Sequence, residues 1–454
     1  MIARLRRLFV IPAIGLVLVG APALAVDRPS PPAPTTTEVP MVAALAAEAD
    51  ADGGSAWTAD ADVSANLVGV EWSGDPGTEF TVEVRNHDGK WRPAGTVGVV
   101  DVAPDPGSPD ARSASRRGAL PNKSEPLWIG NADGVRLTAS SGSVGSVTLA
   151  AVSAPDAHAP NGSAGALGSS LAPGPDRYGY GLALVLAGLV LGAVAVGWTP
   201  WRSRRGAALV AVAGLVVLAA CDAAPPAPTT VSPPQPAITT HTQWGPGLGW
   251  NPSEDCAPGP TVASEVKFAV VHHTVNANSY GPNDSAAIVR AIWQYHVGTL
   301  GYCDIAYNFL VDKYGQVFEG RMGGVDKAVV AAHTGGFNTA STGASFIGDY
   351  TAEQPPVAAW NAMVSLLAWK LSIHHVDPSK GFTATSGGAG ARWPAGTVVS
   401  FPNAIVAHRD LWPTACPGDA FYPRIGELRN AVQPQIGWEG GGPATEPVRW
   451  VPEN

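Results

Sequence analysis

Cysteine and charge are both scarce in this chain of 454 residues. The four cysteines, Cys221, Cys256, Cys303 and Cys416, are too few for the dense disulfide framework of a small secreted scaffold. Each is therefore read for a role of its own. Charged residues make up 14% of the chain and the net charge is −9, with no long block of Lys and Arg. Phosphate recognition needs clustered basic residues, so no nucleic acid is expected as a partner. What is plentiful is apolar sequence (45%), glycine (53) and proline (42). Apolar runs and uncharged linkers account for the low charge, and the length exceeds one ordinary domain.

Residues 1–25 read as a secretory signal. Arg4, Arg6 and Arg7 precede an apolar core, and Ala23-Leu24-Ala25 forms an A-x-A cleavage site. A second apolar run, 179–198, is long enough to span a bilayer as a helix. Trp198 and Trp201 mark its end, and Arg202, Arg204 and Arg205 follow. A third run, 206–220, reaches only about 22 Å as a helix at about 1.5 Å per residue. It ends at Cys221 in a pattern like a lipoprotein signal, where the cysteine becomes lipidated. Two readings stand: a membrane hairpin with a short second helix, or an internal lipoprotein-like signal. In the hairpin reading the arginine cluster lies inside and both soluble regions are extracytoplasmic, which satisfies the positive-inside rule.

Pro-, Ala-, Thr- and Ser-rich stretches at 26–60, 153–178 and 222–240 read as linkers. Short alternating strands separated by turn residues fill 61–152, which suggests an all-β sandwich-like domain. Residues 112–123 interrupt it as a basic polar loop. From 241 to 434 the pattern is α/β, with a central mixed β-sheet flanked by helices; 435–454 is a tail. Within it, strands are expected at 266–271, 305–311, 345–350 and 404–408. Asp284 is placed to cap a helix with the stripe Ile288, Ile292 and Tyr295. Pro356 starts a long helix, 376–400 is an irregular insertion, and 424–432 is the last helix.

Three separated segments carry the candidate chemistry: Val-His-His-Thr at 271–274, Ala-His-Arg-Asp at 407–410, and Thr-Ala-Cys-Pro-Gly at 414–418. His272 and His273 end a strand, so only one of them can face a given site. His408 and Cys416 suit a strand followed by a loop that returns to the same spot. Two histidines and a thiolate with a vacant fourth position make a catalytic rather than a structural zinc site. The spacing H-E-x-x-H of zincin peptidases is missing.

In order and spacing, Val270-Val-His-His-Thr274, Asp304-Ile-Ala-Tyr-Asn-Phe-Leu310, Gly315-Gln-Val-Phe-Glu-Gly-Arg321, Ala332-His-Thr334, Ile405-Val-Ala-His-Arg-Asp410 and Thr414-Ala-Cys-Pro-Gly418 resemble one family. It is the zinc amidase family that includes peptidoglycan recognition proteins and phage T7 lysozyme, and the arrangement most resembles actinobacterial N-acetylmuramoyl-L-alanine amidases. The resemblance covers about 240–434. It implies His272, His408 and Cys416 as ligands of Zn2+, with Tyr307 and Thr414 as catalytic residues. Zinc of this kind polarises an amide carbonyl and lowers the pKa of a water. The implied substrate is peptidoglycan, cut between N-acetylmuramic acid and L-alanine. Members that lost the cysteine only bind it, so a non-catalytic recognition module is the alternative. Two features depart from the family pattern: the membrane hairpin between domains, and Gly343-Ala344-Ser345 where an apolar run is commoner.

His333 and Asn338 match family positions near the substrate groove, Arg321 is a candidate for pairing with a peptide carboxylate, and His273 is a weaker substrate-binding candidate. His374 and His375 suit a helix C-terminus. Trp72, Trp91 and Trp128 have the chemistry to stack on sugars or to fill a core. With Cys416 assigned to metal and Cys221 to possible lipidation, Cys256 and Cys303 remain, and a disulfide between them is expected in an oxidising compartment.

Overall fold

The computed structural model of the chain describes residues 30–42, 57–117, 121–139, 142–155 and 232–437. The signal at 1–25, the apolar runs 179–198 and 206–220, and Cys221 lie outside the described residues. Among the described residues no helix is long and apolar enough to cross a membrane.

The first domain is all-β. One antiparallel sheet joins Thr35–Met41, Val144–Ser153, Ala65–Gly74 and Asn122–Lys123, and Leu127–Ala132 also pairs with Ala65–Gly74. A second holds Thr58–Ala61, Gly134–Ala139, Phe80–Arg85 and Trp91–Val97. Alternation along these strands sends Val68, Val70, Trp72, Phe80, Val82, Leu137 and Leu149 into one shared core.

Two expectations are corrected here. The linker assigned to 26–60 contains the strand Thr35–Met41. Its β-branched residues suit a strand, and it pairs with one neighbour, so Pro40 sits where a sheet edge tolerates it. The loop expected at 112–123 is instead entered by the helix Pro109–Arg116. Ser108 caps it by accepting from the Ala111 amide, and Pro109 occupies its first turn.

The second domain has a six-stranded mixed sheet in the order Ile238–Thr239, Val317–Glu319, Phe309–Val311, Ser341–Phe346, Phe268–His273, Ile405–Ala407. The last three strands run parallel, and Phe309–Val311 with Val317–Glu319 is an antiparallel hairpin. The helix Val357–Ile373 packs on one face through Met363, Leu366, Leu367 and Leu371. The helix Ser285–Gln294 covers the other through Ile288 and Ile292, and continues into a π-helical turn, Tyr295–Leu300. The expected strand 305–311 is formed only at Phe309–Val311, and the insertion at 376–400 contains the hairpin Phe382–Thr385 with Val398–Phe401. Cys256 and Cys303 form a disulfide.

The two domains share a core. Leu67, Val102, Trp128, Ala150 and Val152 of the first domain pack with Ile288, Ile292, Tyr295 and Tyr302 of the second. Gly69 is required at this seam: a Cβ there would lie 2.1 Å from the Tyr295 ring. The Tyr295 hydroxyl donates to the Ser124 carbonyl (2.9 Å). Trp72 and Trp128 are therefore buried, and Trp91 lies under the guanidiniums of Arg136 and Arg85 (4.2 and 5.4 Å).

Candidate metal centre and its covered cleft

The site stands at the C-terminal end of the central parallel strands. His272 is the penultimate residue of Phe268–His273, which is hydrogen-bonded on both sides. His408 opens a short helix just after the neighbouring strand Ile405–Ala407. The loop that follows brings Cys416 back against them. One donor atom from each of His272, His408 and Cys416 lies within 4.8 Å of the others, and all three residues are buried. Cys416 Sγ is 3.7 Å from His272 Nδ1, and both ring nitrogens of His408 are buried without a hydrogen-bond partner. A buried donor set left so incompletely bonded is suited to an ion.

The surrounding groups fix these three side chains. His272 Nε2 is 3.1 Å from His333 Nδ1, which leaves Nδ1 of His272 facing the cysteine. His333 also contacts the hydroxyls of Thr334 (3.0 Å) and Ser341 (3.2 Å). Gly343 is explained by this ring, because a Cβ there would lie 2.4 Å from it. The strand Ser341–Phe346 is wholly buried despite the Gly343-Ala344-Ser345 departure. The amide of His273 donates to Cys416 Sγ (3.4 Å), and the Cys416 amide donates to Thr414 Oγ1 (3.0 Å).

Burial holds the His272 and His333 imidazoles well below their ordinary range and brings His408 down to about 4, so all three are neutral at neutral pH. Burial, and then the charge of Asp101, pushes the Cys416 thiol well up. A thiolate at this position therefore calls for a neighbouring cation. Burial also raises the Tyr307 hydroxyl well above its usual value, so it stays protonated. The Tyr307 ring lies 5.3 Å from that of His272.

The four residues expected to meet substrate, His273, Arg321, His333 and Asn338, have protein partners, as does Thr414. The His273 ring accepts from the Tyr350 amide (3.2 Å) and serves as support for the strand end. Alternation along the strand explains this, since His272 takes the side of His408 and Cys416. Arg321 is 3% exposed and pairs in a fork with Asp110, at 2.9 and 2.7 Å. Asn338 donates to Asp105 (3.0 Å) and to the Ala103 carbonyl (3.0 Å), while His333 backs His272. Thr414 donates its hydroxyl to Asp101. These aspartates belong to the first domain, and nothing in their local sequence marks them as parts of a cleft formed far along the chain.

The class these features define is an α/β domain with a buried His-His-Cys cluster, able to hold a metal ion, at its sheet end. A family described as N-acetylmuramoyl-L-alanine amidase matches residues 262–419. The chain is 31% identical over 175 residues to peptidoglycan recognition protein 1 of Rattus norvegicus, covering 38% of this chain and 79% of that protein. It is 35% identical over 135 residues to peptidoglycan-recognition protein SA of Drosophila melanogaster, covering 29% of this chain and 60% of that one. A solved structure of the Drosophila peptidoglycan recognition protein SA aligns with 42% of this chain and 91% of its own, at 28% identity and a TM-score of 0.33. The chain belongs to the family of peptidoglycan recognition proteins and type 2 N-acetylmuramoyl-L-alanine amidases.

Proposed function

We propose that the second domain is a zinc-dependent N-acetylmuramoyl-L-alanine amidase, hydrolysing the amide between N-acetylmuramic acid and L-alanine of the stem peptide. The observation that carries this reading is the convergence of His272, His408 and Cys416, with the cysteine kept. The donors suit zinc. Two ligands on a tetrahedral ion at about 2.0 Å for nitrogen and about 2.3 Å for sulfur are themselves about 3.5 Å apart, and Cys416 Sγ to His272 Nδ1 is 3.7 Å.

Zinc held there supplies a Lewis acid for the scissile carbonyl and acidifies a water. The rest falls to the chain. His333 holds the His272 ring through its far nitrogen, as second ligands' partners do. Tyr307, protonated and beside His272, is a donor for the developing oxyanion. Thr414 orients the cysteine loop through the Cys416 amide and adds a hydroxyl beside the metal set.

The Cys256–Cys303 disulfide fits an oxidising, extracytoplasmic setting. It agrees with export by the 1–25 signal and anchoring by the apolar runs 179–198 and 206–220, with both domains at the cell envelope. The test uses the full chain and Cys416→Ala. Bound zinc is measured by elemental analysis, and new L-alanine amino termini released from purified peptidoglycan are counted. We expect about one zinc per chain, and release that exceeds the Cys416→Ala background. Zinc-free protein that sediments with peptidoglycan and releases nothing would move the assignment to a recognition module.

A further inference from the structure

Cys416 lies in the loop between the short helix His408–Leu411 and the turn Tyr422–Arg424, a stretch without strand or helix. A loop residue left unheld keeps backbone freedom equivalent to about 1–2 kcal/mol, enough to scatter a thiol away from its neighbours. The two residues after His408 supply the hold. The Arg409 backbone amide and Nε both reach the Cys416 carbonyl (3.0 and 3.4 Å), and Nη2 donates to the Ala415 carbonyl. Nη1 pairs with Asp419 (2.8 Å), and the guanidinium lies over the Tyr422 ring, 4.5 Å from its centroid. Asp410 accepts from the Ala407 amide (2.8 Å) at the start of the helix that His408 opens, and from the Tyr422 hydroxyl (2.7 Å). Gly418 sets the loop against a second wall: its φ is +99°, and a Cβ there would lie 2.2 Å from the Tyr350 carbonyl oxygen.

The two carbonyls that Arg409 takes belong to the two peptide units on either side of the Cys416 Cα. Each unit is planar, so holding both fixes the φ and ψ of Cys416 and with them the direction of its side chain. A guanidinium suits this task. Its planar fork meets several acceptors at once and stacks on an aromatic face, which a lysine ammonium does not reproduce. The ion pair with Asp419 explains little by itself. The Asp419 side chain is 69% exposed, and exposed pairs contribute about 0–1 kcal/mol. The Arg409 side chain is only 17% exposed, which places it against the loop.

We propose that Arg409 is a positioning residue of the metal centre: by holding both peptide units that flank Cys416, it sets the thiol beside His272 and His408. Asp410 and Tyr422 tie the same frame to the helix that presents His408. Without this clamp the three donors are still present but poorly registered, so the loss falls on metal affinity. The inference rests on the reading of His272, His408 and Cys416 as zinc ligands.

The test uses the full chain as wild type, Arg409→Lys, Arg409→Ala, Asp419→Asn and Cys416→Ala. Zinc affinity is measured by chelator competition. Co2+ is the second probe, because its thiolate charge-transfer band reports on Cys416, the free cysteine among the described residues. We expect zinc affinity to fall about tenfold in Arg409→Lys and up to about 100-fold in Arg409→Ala, the range for groups that orient metal ligands, with the band weakened in both. Asp419→Asn should stay within about twofold of wild type. Arg409→Lys keeps the charge and carries the test where Arg409→Ala folds poorly. Urea unfolding of the metal-free proteins separates positioning from support of the fold. A lowered midpoint in the Arg409 variants with wild-type zinc affinity overturns the proposal. So does wild-type affinity in Arg409→Lys, which would make charge alone sufficient, or a loss in Asp419→Asn as large as in Arg409→Lys. A wild type with no Co2+ band beyond that of Cys416→Ala overturns the metal reading and the proposal together. If the band depends on Arg409 while no form exceeds Cys416→Ala in peptidoglycan cleavage, the positioning role stands and the amidase reading fails.

Discussion

Tyr307 and Gly343 show how single side chains serve this site in different ways. Tyr307 is buried with its hydroxyl held protonated, so Tyr307→Phe removes one donor and little packing. We expect it to lower kcat for peptidoglycan cleavage by about 10²-fold, the usual effect of deleting one oxyanion donor, with zinc content unchanged. Steady-state turnover beside metal analysis checks this. Gly343 acts through space it leaves open, because a Cβ would lie 2.4 Å from the His333 ring. Gly343→Ala should cost about 1–3 kcal/mol in urea unfolding through overpacking. It should also weaken zinc binding about tenfold, since His333 would no longer hold His272. Of these two, Tyr307 was legible through its motif. Gly343 was visible only as an irregularity, because the ring that requires it comes from ten residues upstream across the strand edge.

Among the elements, the helix Pro109–Arg116 departs furthest from what its sequence suggested. Its Ser-Pro start is a cap signal, yet the run Arg112–Arg117 is too polar to show a buried stripe. The helix is stabilised from outside: Arg116 Nε pairs with Asp255 (2.9 Å) and Asp110 with Arg321 (2.7 Å). Ser108→Ala removes the bond to the Ala111 amide (3.2 Å) and should cost about 1 kcal/mol. Hydrogen exchange should show faster exchange in this helix while the sandwich core keeps its protection. By contrast, the stripe Ile288, Ile292 and Tyr295 was plain in the sequence, because helical periodicity survives whichever surface covers it. What covers it, one sheet face of the first domain, was not.

At the scale of the whole molecule, the domains behave as one packed body at the seam. His296 reports on it: its Nδ1 accepts from the Ala306 amide (3.0 Å), and its ring lies 6.0 Å from that of Tyr302, which the first domain covers. Burial, then the charge of Arg321, lowers His296 to about 3. The unfolded chain, with an ordinary histidine near 6.5, binds this proton more readily. Its contribution to stability is therefore complete above about pH 6.5 and declines as pH falls toward about 3, by up to about 1.4 kcal/mol per pH unit. Urea unfolding at pH 7 and pH 5 should show the wild type losing about 2 kcal/mol more than His296→Gln. Equal losses in the two would show that His296 does not carry this coupling.

The sequence by itself determined the family, the mixed α/β sheet, the all-β first domain and the three residues His272, His408 and Cys416 that converge at the sheet end. Those follow from local periodicity and from motifs whose chemistry depends on residue type at fixed order. Only the tertiary structure decided that Asp101, Asp105 and Asp110 meet His408, Asn338 and Arg321. These contacts join residues about 200 to 300 positions apart, and a lone aspartate in a turn carries no mark of the distant group that the docking of two sheets will bring to it.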